Sequence, residues 1–293
     1  MISFRRCFVN RIGIALVKKF IATVTLLGFL CEPAWAEPHR VVSLNPCYDV
    51  ILVNVADRDQ IAALSHFSRE DTSTIASLAQ TFPVSYETAE EVIAFAPDMV
   101  LTSRHSSPAT RGALARVGIR TELFNEPETV ADSIAQVRAV AGLVGHVERG
   151  EELIARIEAA LKAAELPEGA PRLSALLYQR NGFSSGRGTL LDEMLTRTGF
   201  TNAAGRYGLV GWGNIPMESV VADPPQVLLA GEIRADVPTW ADRVMRHPAL
   251  KSIEGKMKRV TFPDALLYCG GPVLIEAAKA LKDARESAFG ARP

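Results

Sequence analysis

Short aliphatic runs alternate with segments of helical periodicity along most of this chain. Runs of this length, bounded by Gly, Pro and polar residues, are typical of buried strands, and their alternation with helices indicates a parallel sheet. The predicted strands cover residues 40–44, 60–64, 99–102, 121–124, 173–178, 227–230 and 259–262. The predicted helices cover residues 48–56, 88–95, 108–117, 130–166 with an interruption near 142–150, and 272–288.

Two distant segments have nearly the same pattern. Each begins with a glutamate, Glu90 or Glu218, and continues as a short apolar helical pattern. A proline seven residues on must end that helix, and an aliphatic run follows. A repeat separated by more than a hundred residues is too long for a solenoid. It therefore predicts two related α/β lobes, and a cleft between lobes is a common small-molecule site.

The sequence thus predicts an α/β protein of two lobes, each with a mainly parallel sheet flanked by helices and with a ligand cleft between them. The first lobe is expected at residues 37–146 and the second at 167–293. Residues 147–166, rich in Ala, Leu, Glu and Arg, are predicted to form one long helix that joins the lobes. Without a hinge of Gly, Ser or Pro, this helix would allow only limited relative motion.

The first 36 residues have the order of a secretory signal peptide. Basic residues precede an apolar run at 20–30, and Ala34-Trp35-Ala36 follows. We expect cleavage after Ala36 and export of the remaining chain. No later segment approaches the ~20 uninterrupted apolar residues that a membrane span needs.

Charge and cysteine content narrow the function. Removal of the signal peptide leaves about five net negative charges, which argues against nucleic acid as a partner because phosphate binding needs a basic face. Cys47 and Cys269 remain. A disulfide is possible in an oxidising compartment, but two such distant cysteines form neither a disulfide framework nor a metal-finger pattern. Buried free thiols are the favoured interpretation.

Five segments of the mature chain are informative as an ordered set. They are Arg40-Val-Val-Ser-Leu-Asn-Pro, the block from Glu90 to Leu101, Gly188-Thr-Leu-Leu-Asp-Glu-Met-Leu with Gly199 and Asn202, the Glu218 block, and His247-Pro-Ala-Leu. In this order they resemble the helical-backbone periplasmic binding proteins of ABC importers for ferric siderophores, haem and cobalamin. The resemblance covers nearly the whole mature chain.

The resemblance implies a periplasmic receptor, not an enzyme, with no cofactor of its own. It would be a monomer that captures a metal chelate and delivers it to an ABC permease and, through the permease, to the ATPase. A ferric siderophore or related iron complex is the favoured ligand, with cobalamin as the alternative. The resemblance also implies that Glu90 and Glu218 dock against permease arginines. Stabilisation of a first helical turn, where Thr88-x-x-Glu91 resembles a capping box, is the other explanation of these glutamates.

Candidate ligand-binding residues lie in the loops after the predicted strands. Tyr86, Trp212 and Tyr268 are candidate walls, since aromatic faces suit a large planar ring. Guanidinium groups that match anionic oxygens would come from Arg69, Arg104 and Arg180. Core packing of the tyrosines and ordinary solvation of the arginines are the alternatives. Bare metal capture is disfavoured, although His66 and His105 lie in the same loops.

A secreted serine hydrolase is the alternative of another class. Gly182-Phe-Ser-Ser-Gly186 matches the nucleophile-elbow pattern and follows a predicted strand. The nucleophile would be Ser184 and the base His247. The helix expected directly after the serine begins later, near Thr189, and partners for a triad are scarce.

Overall fold

The first lobe is built on a five-stranded parallel sheet in the order β3-β2-β1-β4-β5. The structure is a computed structural model that describes residues 40–231, 247–253 and 255–289. The strands are β1 (Val41–Ser43), β2 (Ile61–Ser65), β3 (Val84–Ser85), β4 (Met99–Ser103) and β5 (Arg120–Phe124). Strands β1, β2 and β4 are buried along their whole length, as expected for the centre of a sheet covered on both faces.

Five helices belong to the first lobe. They are α1 (Pro46–Val55), α2 (Ala76–Ala79), α3 (Ala89–Ala94), α4 (Pro108–Arg116) and α5 (Val130–Leu143). Helix α1 begins directly after β1 because the side chain of Asn45 accepts a hydrogen bond from the Cys47 amide at 2.8 Å, and Pro46 occupies the first helical position. This junction turns the chain at the carboxyl end of a central strand.

Helix α6 (Val147–Ala164) follows the first sheet and precedes the second in the sequence. Its buried face repeats at helical spacing through Gly150, Leu153, Ile154, Ile157, Leu161 and Ala164. A Cβ atom at Gly150 would lie 2.5 Å from Cβ of Ala141, so only glycine allows α5 and α6 to pack this closely. One continuous apolar core contains residues of both lobes and of α6. The lobes are therefore joined by packing as well as by the chain.

The second lobe contains a four-stranded parallel sheet and a separate antiparallel pair. The sheet has the order β11-β10-β6-β8, with β6 (Leu173–Tyr178), β8 (Phe200–Asn202), β10 (Val227–Ala230) and β11 (Lys258–Thr261). The pair consists of β7 (Phe183–Ser185) and β9 (Trp212–Asn214). The helices are α7 (Leu190–Arg197), α8 (Met217–Ala222), α9 (Pro248–Lys251) and α10 (Val273–Phe289).

The predicted repeat and fold class are confirmed. Glu90 is the second residue of α3 and Glu218 the second residue of α8, and in both cases the next strand begins nine residues after the glutamate. The next strand pairs with the first strand of its own lobe in each case. Strands β3 and β8 and the β7–β9 pair were not predicted.

Some expectations lie beyond what the structure describes. The predicted signal peptide, residues 1–36, lies outside the described residues, and the predicted domain limits at 146 and 166 stay a prediction. Within the described ranges, no helix combines the length and apolar character of a membrane span.

Candidate functional site

A cavity of about 1020 Å³ lies between the lobes. Its size is at the upper end of the range that small-molecule sites occupy. First-lobe residues come from the carboxyl ends of β1, β4 and β5, as predicted for parallel sheets, and from α5. These first-lobe residues are Asn45, Pro46, Cys47, Arg104, His105, Phe124, Asn125, Glu126, Pro127, Glu128, Asp132, Ala135, Gln136 and Ala139. Second-lobe residues are Phe183, Gly188, Thr189, Leu190, Gly211, Trp212, Leu267 and Tyr268.

Three aromatic rings form the second-lobe wall of this cavity. Phe183 and Trp212 are nearly parallel, with centroids 5.4 Å apart and an interplanar angle of 8°. Tyr268 lies 6.4 Å from Phe183 and 6.2 Å from Trp212. Trp212 is 42% exposed and Tyr268 55%, so large apolar faces are available to a ligand. Trp212 and Tyr268 were predicted candidates, whereas Phe183 was missed because only its loop, not its side chain, was singled out.

Local hydrogen bonds hold the loop that presents Trp212. Strand β9 pairs antiparallel with β7, which places Trp212 opposite Ser185. The Gly186 amide donates to the carbonyl of Gly211 at 2.7 Å, and Gly211 has a φ of +66°, a conformation that favours glycine. The side-chain amide of Asn202 donates to the Ser185 carbonyl at 3.0 Å. Asn202 and the contact of Gly186 with Gly211 thus hold the loop that carries Trp212.

Among the described residues, the charged side chains of the cavity all come from the first lobe, and most of them are acidic. Glu126, Glu128 and Asp132 line the cavity together with Arg104 and His105. His105 Nε2 lies 3.2 Å from Glu126 Oε2, and both side chains are exposed. Acidic side chains therefore outnumber permanent positive charges in the described lining.

Arg104 is the predicted arginine that reaches the cavity. Arg69 instead donates to the backbone carbonyls of Ala79, at 3.3 Å, and Phe82, at 2.6 Å. These bonds hold the short 3₁₀ helix at residues 66–69 to the end of α2, and Arg69 is absent from the cavity lining. The backbone of Arg180 lies in the turn between β6 and β7, and its side chain lies outside the described residues.

Tyr86 belongs to a different aromatic group. Its ring stacks on His66, with centroids 4.9 Å apart and an angle of 25°, and His66 lies 3.9 Å from Phe67. Tyr86 is 65% exposed and does not line the large cavity. Tyr86 and Trp212 therefore do not line the same cavity. The residues before α3 form β3, a parallel edge strand of the large sheet, whereas those before α8 form β9, which pairs antiparallel with β7 in a separate sheet.

The cysteines correct the sequence analysis. Cys47 and Cys269 form a disulfide, so the preference for free thiols was wrong. Cys47 sits in the first turn of α1, and Cys269 sits in the loop before α10. Distance along the chain was a poor guide, because the two lobes bring these loops together at the cleft. The bond therefore ties the first lobe to the second beside the ligand cavity.

A buried acid supports the loop after β2. Asp49 of α1 is fully buried, and its Oδ2 accepts hydrogen bonds from the Ser65 amide at 3.0 Å, the Ser65 hydroxyl at 2.5 Å and the Ser68 hydroxyl. Burial raises the pKa of Asp49 to about 7, although these hydrogen bonds oppose the rise. Sequence periodicity gave no signal for this residue, since it sits on an apolar helix among aliphatic neighbours.

The structure removes the basis of the hydrolase alternative. Ser184 is 0% exposed and donates its hydroxyl to the carbonyl of Leu177. A nucleophile needs an exposed hydroxyl within reach of a base. His247 Nδ1 instead accepts from the Ala249 amide at 3.2 Å and so caps α9. No cluster of three His, Cys, Asp or Glu suited to a metal ion occurs among the described residues.

The predicted docking glutamates occupy equivalent, exposed positions on α3 and α8. The capping interactions of α3 involve its neighbours instead: Thr88 accepts from the Glu91 amide at 3.3 Å, and Glu91 accepts from the Tyr86 amide at 2.7 Å. In a full capping box the Thr88 amide would donate to the Glu91 carboxylate, but here that carboxylate accepts from the Tyr86 amide. Glu90 is therefore not needed to cap α3.

Comparisons with known proteins agree with this architecture. The vitamin B12-binding protein of Pectobacterium atrosepticum is 25% identical over 270 residues, which cover 89% of this chain and 93% of that protein. A cobalamin-binding protein of Halobacterium salinarum is 22% identical over 201 residues, 67% of this chain but only 54% of that protein, so the chain spans about half of its length. The fold is shared with the apo form of the periplasmic haem-binding protein RhuT from Roseiflexus sp. RS-1, with a TM-score of 0.69, 23% identity, and coverage of 84% of this chain and 98% of that one. A model of the periplasmic binding protein family matches residues 41–260, and the chain belongs to that family.

Proposed function

We propose that this protein is the solute receptor of an ABC importer and that its ligand is a corrinoid, the class of cobalt chelates that includes cobalamin. The observation that carries the proposal is a large cavity with three aromatic rings on one lobe and more acidic than basic side chains on the other. A flat macrocycle can lie against the rings of Phe183, Trp212 and Tyr268 and bury apolar surface on both partners.

The charges of the cavity distinguish between classes of chelate. Ferric catecholates and haem carry negative charges, and Glu126, Glu128 and Asp132 would repel them. The peripheral amides of a corrin ring are uncharged, and their N–H groups can donate to these carboxylates. The sequence predicted three arginines that would bind an anionic siderophore. One of them, Arg69, is instead bound to backbone carbonyls.

Relatives support the same choice. The two relatives found by sequence, from Pectobacterium atrosepticum and Halobacterium salinarum, are named for vitamin B12 and cobalamin binding. These relatives are only 25% and 22% identical to this chain, so the proposal depends mainly on the chemistry of the cavity.

Delivery of the ligand is the second part of the proposal. Glu90 and Glu218 occupy the same position on α3 and α8, one on each lobe, and both are exposed. Two acidic anchors on two lobes would fix the orientation of the receptor on a permease with basic counterparts. We propose that the mature receptor, exported to the periplasm after cleavage at Ala36, acts there as a monomer.

The ligand class is tested by titrating the mature protein with cyanocobalamin, haemin and an iron catecholate under identical conditions. We expect cyanocobalamin to bind at least about tenfold more tightly than the two anionic chelates, which corresponds to ~1.4 kcal/mol. Tighter binding of haemin or the catecholate would overturn the proposal.

A pair of variants tests the electrostatic argument separately. Glu126→Gln with Glu128→Gln should improve the affinity for haemin and the catecholate several-fold. The difference between these affinities and the affinity for cyanocobalamin should therefore become smaller. Glu148→Gln with Glu168→Gln, at exposed positions outside the cavity lining, is the matched control and should change none of the affinities. An unchanged ratio of affinities in the cavity variant would show that the acidic side chains of the cavity do not select the ligand.

A further inference from the structure

A second, smaller cavity adjoins the large one. It has a volume of about 190 Å³ and is lined by both lobes. Pro46 and Tyr268 line both cavities. The Cys47–Cys269 disulfide lies between them, since Cys47 lines the large cavity and Cys269 the small one. The two cavities therefore meet at Pro46, Tyr268 and the disulfide, close enough for two parts of one ligand.

The lining of the small cavity suits a flat aromatic group. Phe67 and Tyr268, from opposite lobes, both line this space and are 39% and 55% exposed. Val50 and Val273 supply apolar contacts deeper in the cavity, each only 3% exposed. A cavity of ~150 Å³ is known to hold a benzene molecule, so this one has room for a planar group of one or two rings.

One side of the small cavity, which is mainly apolar, is lined by residues with polar side chains. They are Glu70, Thr72, Ser73 and Thr74, which follow the turn that carries Phe67. The Ser73 amide donates to the Glu70 carbonyl at 2.9 Å, and the Ser73 hydroxyl accepts from the Ile75 amide at 3.3 Å, so this loop is held in place. Hydroxyl and carboxylate groups can form hydrogen bonds with the ring nitrogens or amino groups of a heterocycle. A purely hydrocarbon group would leave these hydroxyl and carboxylate groups unpaired.

We infer that the small cavity binds a planar heteroaromatic base attached to the corrinoid, while the macrocycle occupies the large cavity. The inference rests on the proposed function, since it divides one corrinoid between two spaces. Two parts of such ligands are planar heteroaromatic bases: the benzimidazole of the nucleotide loop, whose second nitrogen is free only when it leaves the cobalt, and the adenine of an adenosyl axial group, which keeps ring nitrogens and an amino group. A haem has no such appendage, so the paired cavities also favour corrinoids over haem.

The test compares three corrinoids that differ in these appendages. Dicyanocobinamide has neither base, cyanocobalamin has the benzimidazole, and adenosylcobalamin has both. Each is titrated into the wild type, into Phe67→Ala, which removes one ring, and into Ala265→Leu, which fills the space from the other lobe. Leu78→Ala, an exposed position on α2 outside both linings, is the control. Thermal unfolding of each variant checks that the fold is intact.

If the benzimidazole occupies the small cavity, wild type should prefer cyanocobalamin to the cobinamide, and Phe67→Ala and Ala265→Leu should reduce that preference roughly tenfold, the usual effect of removing a base-stacking ring. If adenine occupies it, the preference for adenosylcobalamin over cyanocobalamin should fall instead. Loss of affinity by the same factor for all three corrinoids, or no loss at all, overturns the inference and leaves the proposed function intact. Failure of every corrinoid to bind the wild type overturns the proposed function itself.

Discussion

The two lobes present their aromatic side chains differently, although both contain the repeated helix and strand. In the first lobe the residues before α3 form β3, a parallel edge strand, and Tyr86 stacks on His66 outside the large cavity. In the second lobe the residues before α8 form β9, which pairs antiparallel with β7, and Trp212 stacks on Phe183 inside the cavity.

The difference shows where binding chemistry can vary in a protein built from a repeat. The repeated elements, α3 with β4 and α8 with β10, keep their glutamates at equivalent positions. The edge segments before them are free to pair differently, because an edge strand has only one neighbour to satisfy. In the cavity itself, the first lobe supplies acidic groups from the segment after β5, together with Phe124, and the second lobe supplies the Phe183, Trp212 and Tyr268 rings.

The largest effect is expected from the disulfide that joins the two lobes. Cys47→Ser with Cys269→Ser should lower the free energy of unfolding by about 2–4 kcal/mol, because the bond closes a very long loop in the unfolded chain. Chemical denaturation of the oxidised wild type and the variant measures this. Two titratable thiols in denatured, unreduced wild-type protein would contradict the bond itself.

Trp212 and Tyr86 test the comparison of the lobes directly. Trp212→Ala should weaken corrinoid binding by about thirtyfold, the ~2 kcal/mol typical of a buried aromatic anchor, whereas Tyr86→Ala should change affinity by less than about threefold. Isothermal titration with cyanocobalamin compares the two. Equal losses would mean that both lobes supply aromatic walls after all.

Quenching of fluorescence sharpens the same point. Trp212→Phe should keep most of the affinity but lose most of the quenching by an absorbing chelate. The other tryptophan of the expected mature chain, Trp240, lies outside the described residues and serves as the comparison. Quenching that survives in Trp212→Phe and disappears in Trp240→Phe would move the site away from β9.

The equivalent glutamates test what the lobes share. Glu90→Arg with Glu218→Arg should reduce transport by reconstituted permease about tenfold at unchanged ligand affinity, because both anchors become repulsive. Glu148→Arg with Glu168→Arg, also exposed, is the matched control. Undiminished transport by the first variant would leave stabilisation of the helix dipole as the role of both glutamates.

An effect of similar size to that of the disulfide, but confined to part of the pH range, concerns Asp49, the buried acid of the first lobe. Burial raises the pKa of Asp49 to about 7, so the folded protein holds this proton more tightly than the unfolded chain does. Between about pH 4 and the raised pKa, ionisation should therefore destabilise the fold as pH rises. Across this range, the free energy of unfolding of Asp49→Asn should rise relative to that of the wild type by up to about 4 kcal/mol, since one pKa unit corresponds to ~1.4 kcal/mol. Denaturation at both ends of the range measures the gain, and a relative loss toward higher pH would contradict the assignment.

The sequence predicted what depends on local pattern. Strands β6 and β10 begin and end where their aliphatic runs do, and α6 follows its apolar stripe to within two residues of the expected end. Trp212 could be predicted because flanking glycines mark a loop. Contacts between distant segments could not be predicted: the partner of β9, the disulfide, and the carbonyls that bind Arg69 all depend on tertiary packing.

The central claim is that the cleft binds a corrinoid, and the most direct test is the small molecule that the protein itself retains. Mature protein purified from the cells that produce it should carry cobalt and show the absorbance of a corrinoid, with a matching mass after extraction. Iron with a haem or catecholate spectrum would contradict the claim.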